Sequence, residues 1–387
     1  MPRPRPTDQR VPISVLASVD PVLRDSAVLG LVVDSPGTVA LRHDILADEG
    51  LIRRVVVDAS GVVEQVLVPL EHACLSCAVR EDALPTLAAL TEDGRWSDVI
   101  MALPVSAESL PVTRALTAET QRGGVLDGAR IATAATVADV ETFEHDLLAA
   151  DLLAERGIAL TPDDERSVGE ALAAQVEHAD LIMAAGEAAA APTGSGLMDR
   201  LRAEDSARVE GLHGVTAAEL AAGRHDPVRG ERRSNPLGAR RAPGGTQAGR
   251  AAGDRSWTLE LRSDRPFHPE RLLDRIEDLG TGRMRSRGVF HVVDRPLSAC
   301  LWDGAGGQLF LGDLGTWDEA AASAEPHTRI VVVGSADDVD ASAEQDARHE
   351  LVDAFHDALV RPDEIADGGL SWLGRQDVLS PWLGSRS

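Results

Sequence analysis

Short runs of β-branched and other apolar residues alternate with stretches of helical spacing through the first half of the chain, and this alternation most narrows the folds open to it. Residues 12–17, 28–33, 52–58, 62–68, 98–103, 130–137 and 180–184 read as strands. Residues 81–91, 140–155, 167–178 and 196–209 read as helices, with Asp163 or Asp164 placed to cap the third. Strand and helix in regular succession predict an α/β layered domain on a mostly parallel sheet.

The pattern then stops. From about Arg224 to Asp254, Gly, Pro and Arg dominate, which reads as a linker or long exposed loop. Between Arg224 and Arg255 eight arginines face only Asp226, Glu231 and Asp254, so a local phosphate contact, RNA included, is the sharper alternative to a solvated tether. Beyond it the order of elements changes: strands at 257–261, 286–293, 297–302, 308–311 and 329–334, a turn at 304–307, and helices at 269–279 and 341–359 make a compact α+β unit. The expected division is therefore a domain over 1–223, a linker over 224–256, a second domain over 257–361, and a tail over 362–387 in which Trp-Leu-Gly occurs at Trp372 and Trp382. A chain of 387 residues suits two cores.

Composition excludes some classes of function. A formal net charge of -25 repels phosphate everywhere except at a local basic patch, which argues against DNA binding and indiscriminate nucleic-acid binding. No run of about 18 apolar residues is present, and Met1-Pro2-Arg3-Pro4-Arg5-Pro6 precedes no apolar segment, so the expectation is a cytoplasmic protein with no membrane partner. Three cysteines, Cys74, Cys77 and Cys300, are too few for a disulfide framework. The sequence holds no lysine, so any cationic role falls to arginine.

The segment Glu71-His72-Ala73-Cys74-Leu75-Ser76-Cys77-Ala78-Val79-Arg80-Glu81-Asp82 carries the clearest chemistry. Two thiols three positions apart, after a strand and before a helix, can grip a soft metal such as zinc, with His72 or Glu71 as a third ligand. A helix amino terminus beside them is expected to lower their pKa. The alternative is a pair of small buried hydrophobes in a core turn. No nucleophilic triad emerges: Ser106 and Ser109 follow a strand without a Gly-x-Ser-x-Gly elbow, and His268 reads as a cap or packing residue.

The same segment resembles the Gly-Cys-x-Cys-Cys-Thr-Val-Arg-x-Asp signature of the CobW family of P-loop GTPases and metallochaperones, with Ala73, Ser76 and Ala78 as departures. Its Cys-x-Ser-Cys form is similar to the actinobacterial branch of ribosome hibernation factor-recruiting GTPases. Arg265-Pro266-Phe267-His268-Pro269, Arg285-Ser286-Arg287-Gly288, Gly306-Gly307 and Gly315-Thr316-Trp317 resemble the CobW carboxy-terminal domain, where the second of these usually reads Arg-x-Lys-Gly. The resemblance implies a P-loop NTPase-like domain followed by a smaller α+β domain, a link to zinc, and a role in bringing a hibernation factor to the ribosome; a GTP-dependent zinc or cobalt chaperone is the other function it implies.

Departures from the family pattern fall on its nucleotide elements. Where the family has Gly-x-x-x-x-Gly-Lys-Thr, this chain has Ser18-Val19-Asp20-Pro21-Val22-Leu23-Arg24-Asp25-Ser26, and only Arg24 and Ser26 stand in for the lysine and the magnesium-binding hydroxyl. Where the family reads guanine with Asn-Lys-x-Asp, the chain has Ala184-Ala185-Gly186-Glu187. The expectation is a degenerate P-loop with no catalytic residue assigned, in which GTP and magnesium are not favoured and GTPase activity rests on the resemblance alone.

Overall fold

The computed structural model describes residues 9–72, 74–238, 251–321, 325–336, 341–366, 370–372 and 374–384. β1 (Val11–Ala17) leads into α1 (Pro21–Val33), followed by β2 (Thr38–Leu46), β3 (Leu51–Asp58) and β4 (Gly61–Pro69). Next come α2 (Leu75–Cys77) and α3 (Leu84–Glu92), joined by a π-helical turn at Ala78–Ala83, then β5 (Asp98–Ala102) and α4 (Ser109–Glu119). β6 (Ala129–Asp139), α5 (Phe143–Leu148), α6 (Val168–His178), β7 (Leu181–Ala185), α7 (Pro192–Leu201), β8 (Ala207–Glu210), α8 (Ala217–Ala222) and α9 (Pro227–Ser234) complete this part.

The strands form one eight-stranded sheet in the order β4-β3-β2-β5-β1-β6-β7-β8. From β2 to β8 every neighbouring pair is parallel, while β3 and β4 add an antiparallel arm. This is the α/β, mostly parallel sheet that the alternation predicts. β5 is buried along its whole length and β1 over its last five residues, as continuous apolar strands covered by helices on both faces must be. β4 is the exposed outer edge.

The second sheet is antiparallel, in the order β12-β11-β10-β13-β9: β9 (Ser256–Ser263), β10 (Met284–Val292), β11 (Arg295–Ala305), β12 (Gln308–Thr316) and β13 (Thr328–Ser335). Its helices are α10 (Pro269–Asp274), α11 (Ile276–Gly280), α12 (Trp317–Ala321), α13 (Ala341–Ala358) and α14 (Ser380–Leu383). Phe267, Phe290, Trp302 and Phe355 meet edge-on or tilted in its core, with ring centroids 5.4 to 6.1 Å apart. Gly288 explains one motif glycine: a Cβ there would lie 1.9 Å from the Arg329 carbonyl oxygen of β13. His268 caps α10, its Nδ1 accepting from the Arg271 amide at 3.4 Å. From the tail, Trp372 and Leu383 are buried on this domain, and Arg295 bonds to Asp377 and to the Gly384 carbonyl.

Several predicted elements need correction. Residues 28–33 are helix: Asp20 caps α1 and Pro21 opens it, so an apolar run too short to show its period follows the helix, with Val28, Leu31 and Val32 inward and Leu29 and Val33 outward. β2 has no counterpart among the expected strands, because Arg42, His43 and Asp44 interrupt its apolar pattern and are tolerated through ion pairs. The helix expected at 140–155 shrinks to α5, and that at 196–209 divides into α7 and β8. Ser167, not Asp163 or Asp164, caps α6, in a capping box with Glu170. Within the expected linker, residues 227–234 form α9, capped by Asp226 with Pro227 in its first turn; 239–250 lie outside the described residues.

Candidate metal centre and the β1–α1 junction

β4 ends at Pro69, and the backbone amide of Leu70 bonds to the Gly50 carbonyl, so the cysteine segment leaves from the open edge of the large sheet. Cys74 is the amino-terminal cap of α2: its sulfur accepts from the Cys77 amide at 3.5 Å. Cys74 is half-buried, Cys77 buried, and neither is in a disulfide. The turn that carries them is held from behind by Asp82, only 3% exposed, which takes Nη1 of Arg54 at 2.5 Å and has His43 Nε2 2.7 Å from its other oxygen. That carboxylate ties the π-helical turn to β2 and β3 and so sets where the thiols point.

The helix start does not lower the Cys77 pKa as expected. A hydrogen bond with Cys74, burial, and the negative neighbours Cys74 and Glu81 push the Cys77 thiol up, because each favours the protonated form. Glu81 lies one helical turn beyond Cys77; its carboxyl is lowered by the Glu71 amide, by Arg80 at 2.8 Å and by the Cys77 thiol. Sequence reading passed over Glu81 as a partner, although its i, i+4 spacing from Cys77 is the signal that places both on one helix face. His72 and Glu71 are exposed. Among the described residues no group of three or more His, Cys, Asp or Glu is gathered as a preformed metal cage, so the two thiols stand together while His72 is not arranged with them as a ligand set.

At the β1–α1 junction only Ser18, Val19 and Asp20 separate strand from helix. Asp20 accepts from the amides of Val22 and Leu23 at 2.7 and 2.9 Å, which places a carboxylate at the helix end. Arg24 is 2% exposed and fully engaged: it contacts Asp25 at 2.9 Å, Asp44 at 2.8 Å and the Leu103 carbonyl at 3.0 Å. Ser26 is exposed on α1. After β7, Gly186 turns with φ 77°, and the Glu187 amide bonds to Glu141 at 3.3 Å.

Ser109, outside any elbow, bonds through Oγ to His178 Nδ1 at 2.7 Å, and His225 Nδ1 lies 2.7 Å from Asp180. Ser109 is 1% and His178 0% exposed, so this pair is sealed in the core and ties α4 to α6, with the His225 ring edge-on to His178 at 5.6 Å. Burial pushes His178 down to about 4. Of the arginines expected at a phosphate contact, Arg233 is buried on Asp180 and Asp205, while Arg229 and Arg232 are exposed. Among the described residues no helix is long and apolar enough to cross a membrane.

Comparison with known proteins gives four findings. Residues 256–355 match the cobalamin synthesis protein cobW C-terminal domain. Over 96% of its length the chain is 26% identical to the zinc chaperone Rv0106 of Mycobacterium tuberculosis, covering 94% of that protein. It is 25% identical to the zinc-regulated GTPase metalloprotein activator 1 of Dictyostelium discoideum, over 68% of this chain and 56% of the relative. Among solved structures, the Zn(II)-bound YjiA GTPase from E. coli matches with a TM-score of 0.36 and 11% identity, across 91% of this chain and 99% of that one.

Proposed function

The chain belongs to the CobW family of P-loop GTPases and metallochaperones, and from that premise we propose that it is a zinc-handling protein that takes its ion on Cys74 and Cys77 without turning over GTP. The carrying observation is the thiol pair at the start of α2, held by Asp82 and open to solvent on the Cys74 side. Zinc here is cargo. Its binding displaces thiol protons, and the raised Cys77 pKa makes uptake weaken as pH falls. Glu81, ionised beside the Cys77 thiol, is placed to take part as an oxygen donor. An incomplete ligand set suits an ion that must be passed on, since a closed four-ligand site holds zinc structurally.

The β1–α1 junction supports the absence of nucleotide turnover. A phosphate cradle needs a glycine-rich loop of free amides and an available cation. The three-residue junction here has no glycine, Asp20 occupies the amides, Pro21 has none, and Arg24 is consumed by Asp25 and Asp44. These residues do not fit a nucleoside triphosphate with magnesium. For the partner, the Cys74-Leu75-Ser76-Cys77 form supports recruitment of a hibernation factor to the ribosome, as its resemblance implies.

Calorimetric titration of the metal-free protein with zinc tests the reading. Saturable binding is expected in the wild type and loss of it in C74S/C77S, with no magnesium-dependent GTP hydrolysis by either protein. Zinc binding unchanged in that variant would sink the metal centre, and magnesium-dependent GTP hydrolysis would restore the GTP-dependent chaperone. Co-sedimentation with ribosomes and a hibernation factor tests the partner; no association with or without zinc would remove it.

A further inference from the structure

A cavity of about 440 Å³ opens at the seam between the two sheets, bounded by α7, α9, β10 and β13. We propose that it binds a small phosphorylated organic molecule. Six arginines and three carboxylates line it, in a chain whose net charge is -25. Two of the carboxylates, Glu177 and Asp205, are committed to arginines. Both oxygens of Glu177 hold Arg285 at 2.9 and 3.0 Å, one of them also takes Nη1 of Arg287 at 2.5 Å, and both oxygens of Asp205 hold Arg233 at 2.9 Å.

Three of the arginines, Arg229, Arg232 and Arg287, have donors left over. Arg232 has no side-chain partner among the described residues. Arg229 lies 3.5 Å from Asp205 and 3.6 Å from Asp226, without a hydrogen bond to either. The bonds of Arg287 all leave from Nη1, to Glu177 and the Arg233 carbonyl. Planar guanidinium forks with free edges, converging on one concavity, match phosphate oxygens in pairs.

Leu201, Val331 and Val333 give the same cavity an apolar wall, so it presents a place for phosphate and a place for an organic group. Its volume falls in the range of small-molecule sites, roughly 300 to 1,000 Å³. A nucleic-acid backbone is a poorer occupant, because Arg287 sits inside with its side chain only 8% exposed. The cavity walls are held by structure independent of any ligand: α9 is pinned by Arg114 to Glu231 at 2.7 Å and by Arg233 to Asp180 at 2.6 Å.

The test is calorimetry on the full chain without magnesium, using inorganic pyrophosphate and GDP as separate probes, on wild type and R229A/R232A. Both substituted residues are exposed, and an unchanged melting temperature with intact zinc uptake verifies the fold. The expected result is that both probes bind, GDP more tightly, and that the variant loses at least tenfold for each. Failure of both probes overturns the proposal, as does equal binding to wild type and variant, which would place the anion elsewhere. Pyrophosphate accepted with GDP refused, or a single-stranded RNA bound in place of either, overturns it too. None of these outcomes alters the reading of Cys74 and Cys77, which zinc titration decides separately.

Discussion

Lowering the pH from 7.5 to 5 is expected to destabilise the protein through His178. Burial, reinforced by the neighbouring His225, brings its pKa from the ordinary 6.5 down to about 4. A histidine held neutral in the fold contributes stability that is present above 6.5 and lost as pH falls toward 4, because the unfolded chain takes up the proton first. At pH 5 the unfolded imidazole is nearly all charged and the folded one nearly all neutral, which corresponds to about 2 kcal/mol. The ring is 0% exposed and bonded to Ser109, so it has no route to solvation short of opening the contact between α4 and α6. Urea unfolding at the two pH values, on wild type and H178Q, measures it: wild type should lose about 2 kcal/mol more than the variant across that interval. Equal losses in the two proteins would refute the assignment, whatever their absolute stabilities.

Other outcomes follow from particular contacts. G288A should fail to form the second sheet, since its Cβ would meet the Arg329 carbonyl of the paired strand; loss of expression or of near-ultraviolet dichroism is the measurement. E177A leaves Arg285 and Arg287 buried without their shared counter-ion and should cost about 3 to 5 kcal/mol in denaturant unfolding. G230A should be destabilised in the same assay, because its Cβ would sit 2.9 Å from His178 Nε2, and α9 must shift. Burial pushes Cys300 up to about 12, so a thiol reagent at pH 8 should modify half-buried Cys74 in the native protein and reach Cys300 only after unfolding.

Local pattern alone determined the α/β class of the first domain, the order of strands from β9 to β13, and the thiol pair, because periodicity and short spacing are properties of neighbouring residues. The helix α1 was illegible as a helix since its visible signal, Val28 to Val33, is an apolar run of either kind, and the deciding residues are the cap Asp20 and Pro21 upstream. β2 was hidden because a strand carrying Arg42, His43 and Asp44 is unfavourable until Arg24, Asp25 and Asp82 arrive from elsewhere to neutralise it. The raised Cys77 pKa depended on Glu81 and Cys74 folding against it, a matter of side-chain packing and not of helix direction. Only tertiary structure decided the seam: Glu177 and Arg285 stand 108 residues apart, and nothing in either segment announces the other. Charges so distant in the chain choose partners by where two independently formed sheets come to rest, which is why the arginine-rich segment after Arg224 is legible as a phosphate contact while its meeting with Arg285 and Arg287 in one cavity is not.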